Sequence, residues 1–229
     1  LVVDTNILRS SVRLVSATMH IRRLYLAIVS ISFFWAIGAI LAAQFPPLVK
    51  NALGADNTVA TMFTAVFSVG VAIGSVIVNR LLKGTVSARY SPVSVLVMAV
   101  FVLLLWYEIS IWVPVADTLT DADKLLNWSE FLAIRTGDII LIALLGIAVF
   151  GGMFVVPLYA FLTTTVAKSE TARTVAANNI VNSGFMVAAT LLLSLLIWLG
   201  LTIQDTLAMV AGMCLVSARI AWTLHKACD

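Results

Sequence analysis

The chain has 229 residues, of which 62% are hydrophobic and only 11% are charged, and its mean hydropathy is +1.08. Soluble domains are about half apolar and about a quarter charged, so this composition excludes a soluble globular domain and indicates an integral membrane protein. The net charge of +3 gives no reason to expect a nucleic-acid partner, because in a membrane protein the side on which Lys and Arg lie is what matters. The chain begins with Leu and no signal peptide follows, so we expect it to be a piece of a longer protein.

Residues that support enzyme chemistry are not arranged as sites. Cys214 and Cys228 have neither a metal-ligand spacing nor the pattern of a disulfide framework. His20 and His225 are far apart in the sequence, and the chain lacks a phosphate-binding loop, a zinc-protease motif and a nucleophile elbow. We therefore expect no enzymatic activity, no metal and no cofactor in this chain.

The residues that precede the first apolar run carry apolar side chains at helical spacing, with Arg9 and Arg13 off the stripe. The stripe consists of Ile7, Leu8, Val12, Val15 and Met19. This pattern predicts an amphipathic helix on a membrane surface or against the cytoplasmic face of the protein; a plain charged lead-in is the alternative. We define residues 1–23 as a predicted cytoplasmic linker.

Six apolar runs follow, and each is long enough to cross a hydrocarbon core of about 30 Å at about 1.5 Å per residue. They cover residues 24–49, 58–82, 93–115, 138–166, 174–199 and 203–224. Strands of a membrane barrel are about ten residues long and alternate in polarity, whereas these runs are longer and do not alternate. The predicted fold class is an all-α membrane protein with six transmembrane helices in residues 24–224 and a cytoplasmic tail in 225–229. The long connection 116–137, with Trp128 and several acids, predicts a surface hairpin or a short interfacial helix.

The distribution of Lys and Arg predicts the orientation. Lys50, Lys124 and Arg135 lie on one side of the predicted spans, and the other eleven of the fourteen basic residues lie on the opposite side. Since the cytoplasmic side carries the excess of basic residues, both termini are predicted to be cytoplasmic. We expect a multi-pass protein of a bacterial inner membrane.

The fourth apolar run contains Gly151, Gly152 and Pro157 at membrane depth. Glycine is conformationally loose, and proline lacks an N–H and clashes one turn back, so both weaken the helical hydrogen-bond ladder. In lipid such irregularity is tolerated only where protein or a watery cavity satisfies the freed groups. This helix is therefore predicted to face protein or a cavity, which favours a transporter.

Glu108 is the one clear acid inside a predicted span. A charge near the bilayer centre costs on the order of 3 kcal/mol or more, so such a carboxylate is a candidate for proton coupling. Glu108 lies near the predicted outer end of its span between Trp106 and Trp112. The alternative is a carboxylate that reaches the interface beside an aromatic belt.

Several neutral polar residues lie at the ends of other spans. Gln44 precedes two prolines, so it either ends the first helix or lines the outer mouth of a cavity. Asn178 and Asn182 share a helix face, with Asn179 beside them, and either hydrogen-bond a neighbouring helix or line a cavity. The small residues of the Gly70–Gly74 pattern favour close helix packing.

Six spans with both ends on one side resemble the C-terminal half of a major facilitator superfamily transporter, whose halves each contain two inverted three-helix repeats. Four segments further resemble the lysophospholipid transporter branch, so that the likeness extends over about residues 4 to 224. They are SISFFWAIGA (30–39, with Gln44 and Pro46 after it), FSVGVAIGS (67–75), GGMFVVPLYAFL (151–162) and AANNIVN (176–182). The loop after Gly74 lacks the acid of the superfamily motif and has Asn79-Arg80 instead, which puts the usual cytoplasmic charge lock in doubt.

This resemblance implies alternating access and transport of lysophospholipids toward the cytoplasmic leaflet for re-acylation. The substrate-pathway residues that it implies are Trp35, Gln44, Gly151, Gly152, Pro157, Tyr159, Asn178, Asn179 and Asn182. The implied partners are a lipid-like small molecule, membrane lipids and an N-terminal six-helix half that this chain lacks. A drug or metabolite proton antiporter and a membrane anchor for a fused acyltransferase are the alternative functions.

Overall fold

A computed structural model of the chain describes residues 7–119 and 125–228. Eight α-helices occur in these ranges, and a π-helical turn, Leu48–Ala52, extends α2. The helices are α1 (Ile7–Met19), α2 (Arg22–Pro47), α3 (Asn57–Leu82), α4 (Ser91–Leu119), α5 (Trp128–Leu132), α6 (Arg135–Thr164), α7 (Lys168–Trp198) and α8 (Ile203–Cys228). All but α1 and α5 are long and apolar enough to cross a membrane, so the predicted fold class of six transmembrane helices is confirmed. Residues 1–6 of the predicted linker, Lys124 and residue 229 of the predicted tail lie outside the described ranges.

Capping side chains and short backbone bonds close one end of the bundle. The Asp56 carboxylate accepts a hydrogen bond of 2.8 Å from the Thr58 N–H and caps α3. Asn127 and Glu130 form a capping box at the start of α5. The Asp56 N–H donates to the Leu126 carbonyl, and the Leu126 N–H donates to the Gly54 carbonyl, both at 2.9 Å. The predicted connection 116–137 thus contains a short helix that is tied to the loop before α3.

The two prolines after Gln44 do not end the first membrane helix. α2 runs through Pro46 and Pro47 and then widens into the π-helical turn. Prolines 46 and 47 remove two N–H donors, and the Leu48 N–H is shared between the carbonyls of Gln44 and Phe45. The interpretation of Gln44 as a helix terminator is therefore wrong, and its side chain is buried.

α6 is the most buried of the six long helices. In the most apolar 18-residue stretch of each helix, 61% of α6 is buried inside the protein, against 17% of α7. It packs along α3 and α4 and also touches α2. The prediction that the Gly151–Pro157 helix faces protein is confirmed, and the chain itself supplies that protein.

Glycines allow the backbones of α3 and α6 to come into direct contact. A Cβ added at Gly74 would lie 1.9 Å from the Val149 carbonyl oxygen of α6. A Cβ added at Gly152 would lie 2.5 Å from the Val71 carbonyl oxygen of α3, and one at Gly70 would lie 2.5 Å from the Ala148 Cβ. Because backbone atoms cannot move aside cheaply, the Gly70–Gly74 pattern serves close packing, as its spacing predicted.

The long helices fall into two groups of three, α2–α3–α4 and α6–α7–α8, with equivalent packing. α3 packs along α6 as α7 packs along α2, and α4 packs along α6 as α8 packs along α2. α4 also packs along α8, and α2 touches α6. Exchanging the groups therefore maps α3–α6 onto α7–α2 and α4–α6 onto α8–α2, and it maps the α4–α8 and α2–α6 pairs onto themselves. Since consecutive spans cross a membrane in opposite directions, two groups of three are inverted relative to each other.

The first helix, α1, lies against α7 and α2. Thr18 is buried and Val15 and Met19 are half-buried, whereas Val12 of the predicted apolar stripe is 69% exposed. The buried side of α1 is therefore rotated away from Val12. Two surfaces were proposed for this segment, the membrane surface and the protein itself. Helix α1 contacts the protein, through α7 and α2.

We expect Gly74→Ala to lower the thermal stability of the protein, because the new methyl group meets the backbone of α6; overpacking typically costs about 1–3 kcal/mol. The midpoint of thermal unfolding in detergent measures this effect. Gly212→Ala is the control, since Gly212 lies in α8 with no atom within 4 Å of the added Cβ. It should leave the midpoint unchanged or raise it. Equal midpoints for the two variants contradict the close-packing role of Gly74.

The Asp56 cap predicts a pH effect of defined sign. The hydrogen bond from the Thr58 hydroxyl lowers the pKa of Asp56 below its ordinary value of 3.8. A depressed folded-state pKa gives stability that is present above 3.8 and is lost as the pH falls through the folded-state pKa. Asp56→Asn keeps a capping oxygen that does not titrate. The unfolding midpoint of Asp56→Asn, measured relative to that of wild type, should therefore rise below about pH 4 and stay constant between about pH 6 and 8. A difference between the two midpoints that is the same at every pH would contradict the assignment of this effect to Asp56.

Candidate functional site

Four side chains from three membrane helices form a hydrogen-bonded cluster, which we name the polar network. The Ser32 hydroxyl of α2 donates to Asn182 Oδ1 of α7 at 2.8 Å. The Asn182 amide donates to the Tyr159 hydroxyl of α6 at 3.3 Å, and the Trp35 indole N–H donates to the same oxygen at 2.7 Å. The network consists of Ser32, Trp35, Tyr159 and Asn182. It is uncharged, so it avoids the cost of a buried ion in a membrane.

The network lies at membrane depth and borders an open surface. Ser32 and Trp35 are near the middle of the 26-residue helix α2, and Asn182 is near the middle of the 31-residue helix α7. Ser32 and Asn182 are buried, Tyr159 is half-buried and Trp35 is 40% exposed. A molecule at this surface can therefore reach the Tyr159–Trp35 side of the network.

The Tyr159 hydroxyl is left with one hydrogen-bonding function to offer. Its oxygen accepts from both Trp35 and Asn182, so its own O–H can only donate. No acceptor for this proton occurs among the residues that the structure describes. An incoming carbonyl, phosphate or carboxylate oxygen is the kind of group that such a donor binds.

One helical turn below Asn182, the Asn178 amide is also incompletely paired. The Asn178 side chain is fully buried, its Nδ2 donates to Asn179 Oδ1 at 3.4 Å, and its Oδ1 has no partner. Asn179 itself is exposed. The predicted shared face of Asn178 and Asn182 is present, and it points into the protein rather than toward lipid.

An apolar groove of about 680 Å³ lies between α2, α7 and α8. Its wall includes Phe33 and Val181, the chain neighbours of Ser32 and Asn182, and it continues past Phe185 to Met209 and Met213. Ligand cavities in proteins are typically about 300–1,000 Å³. The groove shares α2 and α7 with the polar network, and none of the four network residues lines it.

The remaining predicted pathway residues lie apart from the network. Gly151 packs against Phe34, Gly152 against the α3 backbone, and Pro157 is buried within α6. Gln44 is buried near the far end of α2. These four residues have packing positions in this chain, and the role predicted for them in a substrate pathway stays a prediction.

Glu108 is also separate from the polar network. It lies on α4, which packs along α6 and α8; it is 5% exposed, and Oε2 has no partner among the residues that the structure describes. The alternative of a carboxylate that reaches a wet interface is wrong, because the side chain is enclosed by protein. Trp112 is fully buried as well, and its indole N–H donates to the Leu53 carbonyl at 3.0 Å.

Sequence reasoning missed Ser32 and the groove residues. Ser32 follows Ser30 in the membrane helix, about one turn before Trp35, and a polar side chain in that position is a usable signal. Phe33 and Phe185, which contact each other edge to face at 5.6 Å, carry no such signal because any membrane helix contains phenylalanine. Within the described ranges, no three His, Cys, Asp or Glu side chains are placed to hold a metal.

By its fold and its site, the chain belongs to the class of multi-pass α-helical membrane proteins, and it has a neutral polar cluster inside its helical bundle. No protein-family model, curated protein or solved structure matches the chain. Any more specific function therefore depends on the geometry of the site and on the resemblance of its segments.

A double-mutant cycle tests the Ser32–Asn182 bond. Ser32→Ala and Asn182→Ala should couple by about 0.6 kcal/mol or more, the typical size for bonds between membrane helices. Unfolding of the protein in mixed micelles measures the stabilities. Ser30→Ala with Asn182→Ala is the control cycle, because the buried Ser30 hydroxyl has no partner, and it should show no coupling. Equal coupling in the two cycles contradicts a specific bond.

Proposed function

We propose that the chain is one half of an alternating-access transporter that carries lysophospholipids toward the cytoplasmic leaflet. The observation that carries this proposal is the polar network, whose Tyr159 O–H is left to donate, in a bundle that also has an apolar groove between α2, α7 and α8. A lysophospholipid has one acyl chain and a polar headgroup with phosphate and ester oxygens. The Tyr159 O–H, whose oxygen accepts from the Trp35 indole, would donate to one of those oxygens, and the groove would hold the acyl chain.

The helix arrangement supports the transport part of the proposal. Two inverted groups of three helices with equivalent packing are the architecture that alternating-access transporters use. The network joins α2 and α6, which are the equivalent helices of the two groups. The resemblance of residues 30–39, 151–162 and 176–182 to the lysophospholipid branch supports the choice of substrate. Residues of all three segments take part in the network.

The low burial of α7 supports a missing second half. Val187, Leu191, Leu195 and Trp198 lie along one side of this helix and are 51–81% exposed. Membrane lipids or the N-terminal six-helix half would cover such a side. In this proposal the chain does not transport alone, and both termini are cytoplasmic in a bacterial inner membrane.

A proton-coupled antiporter is the second candidate, and the buried Glu108 with its unpartnered oxygen favours it. A membrane carboxylate of this kind is a usual site for proton binding. Its position on α4, away from the polar network, favours the lipid carrier instead. The two proposals differ in what Glu108→Gln does to transport.

Uptake of labelled lysophosphatidylethanolamine into proteoliposomes by the full-length protein tests the lipid carrier. We expect uptake above empty vesicles and about ten-fold slower uptake for Tyr159→Phe, since losing a hydrogen bond to a charged group costs about 1.5–3 kcal/mol. Tyr107→Phe is the control, because the Tyr107 side chain is exposed on α4 and should not matter. Glu108→Gln should largely retain uptake. Absence of uptake over empty vesicles overturns the proposal, and loss of uptake only in Glu108→Gln would favour the antiporter.

The groove has its own test in the same assay. Ala188 lines the groove, whereas Val100 of α4 is 63% exposed and does not line it. Ala188→Phe should fill the groove and slow uptake of a long-chain lysophospholipid more than uptake of a short-chain one. Val100→Phe should change neither rate. Equal effects of the two variants would show that the acyl chain binds elsewhere.

A further inference from the structure

A second cavity, of about 540 Å³, lies where the start of α2 meets the end of α8. We name it the basic pocket. It is lined by Arg22, Arg23, Arg219, Trp222, Thr223, Lys226 and Ala227. Four of these seven residues are cationic, and no acid is among them. The polar network lies further along α2, toward α6 and α7, so the two sites are distinct.

Among the described residues, no ion pair involves the four cations of the basic pocket. The ion pair seen among the described residues is Arg173–Glu170, on α7, and it does not involve the pocket. The Lys226 ammonium lies 5.6 Å from the centre of the Trp222 ring, which keeps it at the pocket wall. Like charges brought together around one cavity repel one another, and a bound anion relieves that repulsion.

The start of α2 adds to the positive potential of this pocket. Ile21 precedes the helix without a side-chain cap, and the first turn carries no acid but contains Arg22 and Arg23. The N-terminus of a helix has unpaired N–H groups and a partial positive charge. Arginines add to this positive charge, and a bound anion offsets it. The cations and the helix end therefore favour the same kind of ligand.

The position of the pocket selects a lipid rather than a dissolved ion. It lies at the end of two membrane-spanning helices, and Trp222, which is 44% exposed, is of the type found at the membrane–water interface. Basic pockets between membrane helices at this level suit lipid headgroups. Trp222 would contact the glycerol region of the lipid while the arginines bind its phosphate.

We propose that the basic pocket binds the phosphate of an anionic glycerophospholipid from the adjoining leaflet. The bound lipid bridges the start of α2 and the end of α8. This inference depends on the membrane-spanning fold and not on lysophospholipid transport, so either proposal can fail without the other.

Thermal unfolding of the purified full-length protein in detergent tests the basic pocket. Saturating short-chain phosphatidylglycerol should raise the unfolding midpoint by roughly 5 °C, and the rise should shrink at high salt. Short-chain phosphatidylcholine, which is zwitterionic, should raise it by much less. Inorganic phosphate at the same concentration should have little effect. A rise with phosphate equal to that with the lipid overturns the lipid assignment in favour of a free-anion site.

Charge removal identifies the residues. Arg22→Gln combined with Arg219→Gln and Lys226→Gln should abolish most of the rise with phosphatidylglycerol. The matched control replaces Arg13, Arg80 and Lys168, three exposed cations that do not line the pocket, by Gln. Should the triple pocket variant not fold, Lys226→Gln alone should weaken apparent affinity for the lipid several-fold. An undiminished rise in that single variant and in the triple variant, or an equal loss in the control, overturns the proposal.

Discussion

The contact between the backbones of α3 and α6 fixes the centre of the bundle. Gly74 on α3 and Gly152 on α6 leave no side chain between the two backbones, and Gly70 leaves room only for the Ala148 methyl group. Because α6 is held there, its other sides are free to pack against α4 and to touch α2. Tyr159, seven residues beyond Gly152, is thereby brought between α2 and α7. The polar network depends on that placement, although none of the glycines belongs to it.

The glycines of α6 thus pack against neighbouring helices, whereas their sequence context first suggests a place beside a cavity. A pair of glycines and a proline inside a membrane helix can serve flexibility, cavity lining or close packing. In this chain Gly152 contacts the α3 backbone and Gly151 contacts the Phe34 ring. The hydrogen-bonding group that borders the open surface is instead the Tyr159 hydroxyl, which accepts from Trp35 and Asn182.

Hydrophobicity and length were enough to predict the six spans, because a membrane helix is visible in the sequence as one continuous apolar run. The site was predicted in part. Trp35, Tyr159 and Asn182 were found from their segments and are brought together by the structure. Ser32 was missed because serine is common in membrane helices and its bond partner lies 150 residues away. The stripe of α1 did not show which of its residues would contact the protein, since spacing alone cannot say which neighbours a short helix will meet.

The division of the network among three helices has a mechanical consequence. The Tyr159 oxygen belongs to α6, and its two donors belong to α2 and α7, which pack along each other. Sliding of the α2–α7 pair against α6 therefore has to break both bonds in one step, so intermediate displacements are disfavoured. A group that accepted the remaining Tyr159 proton would compete with neither bond, because both bonds use the hydroxyl oxygen as their acceptor.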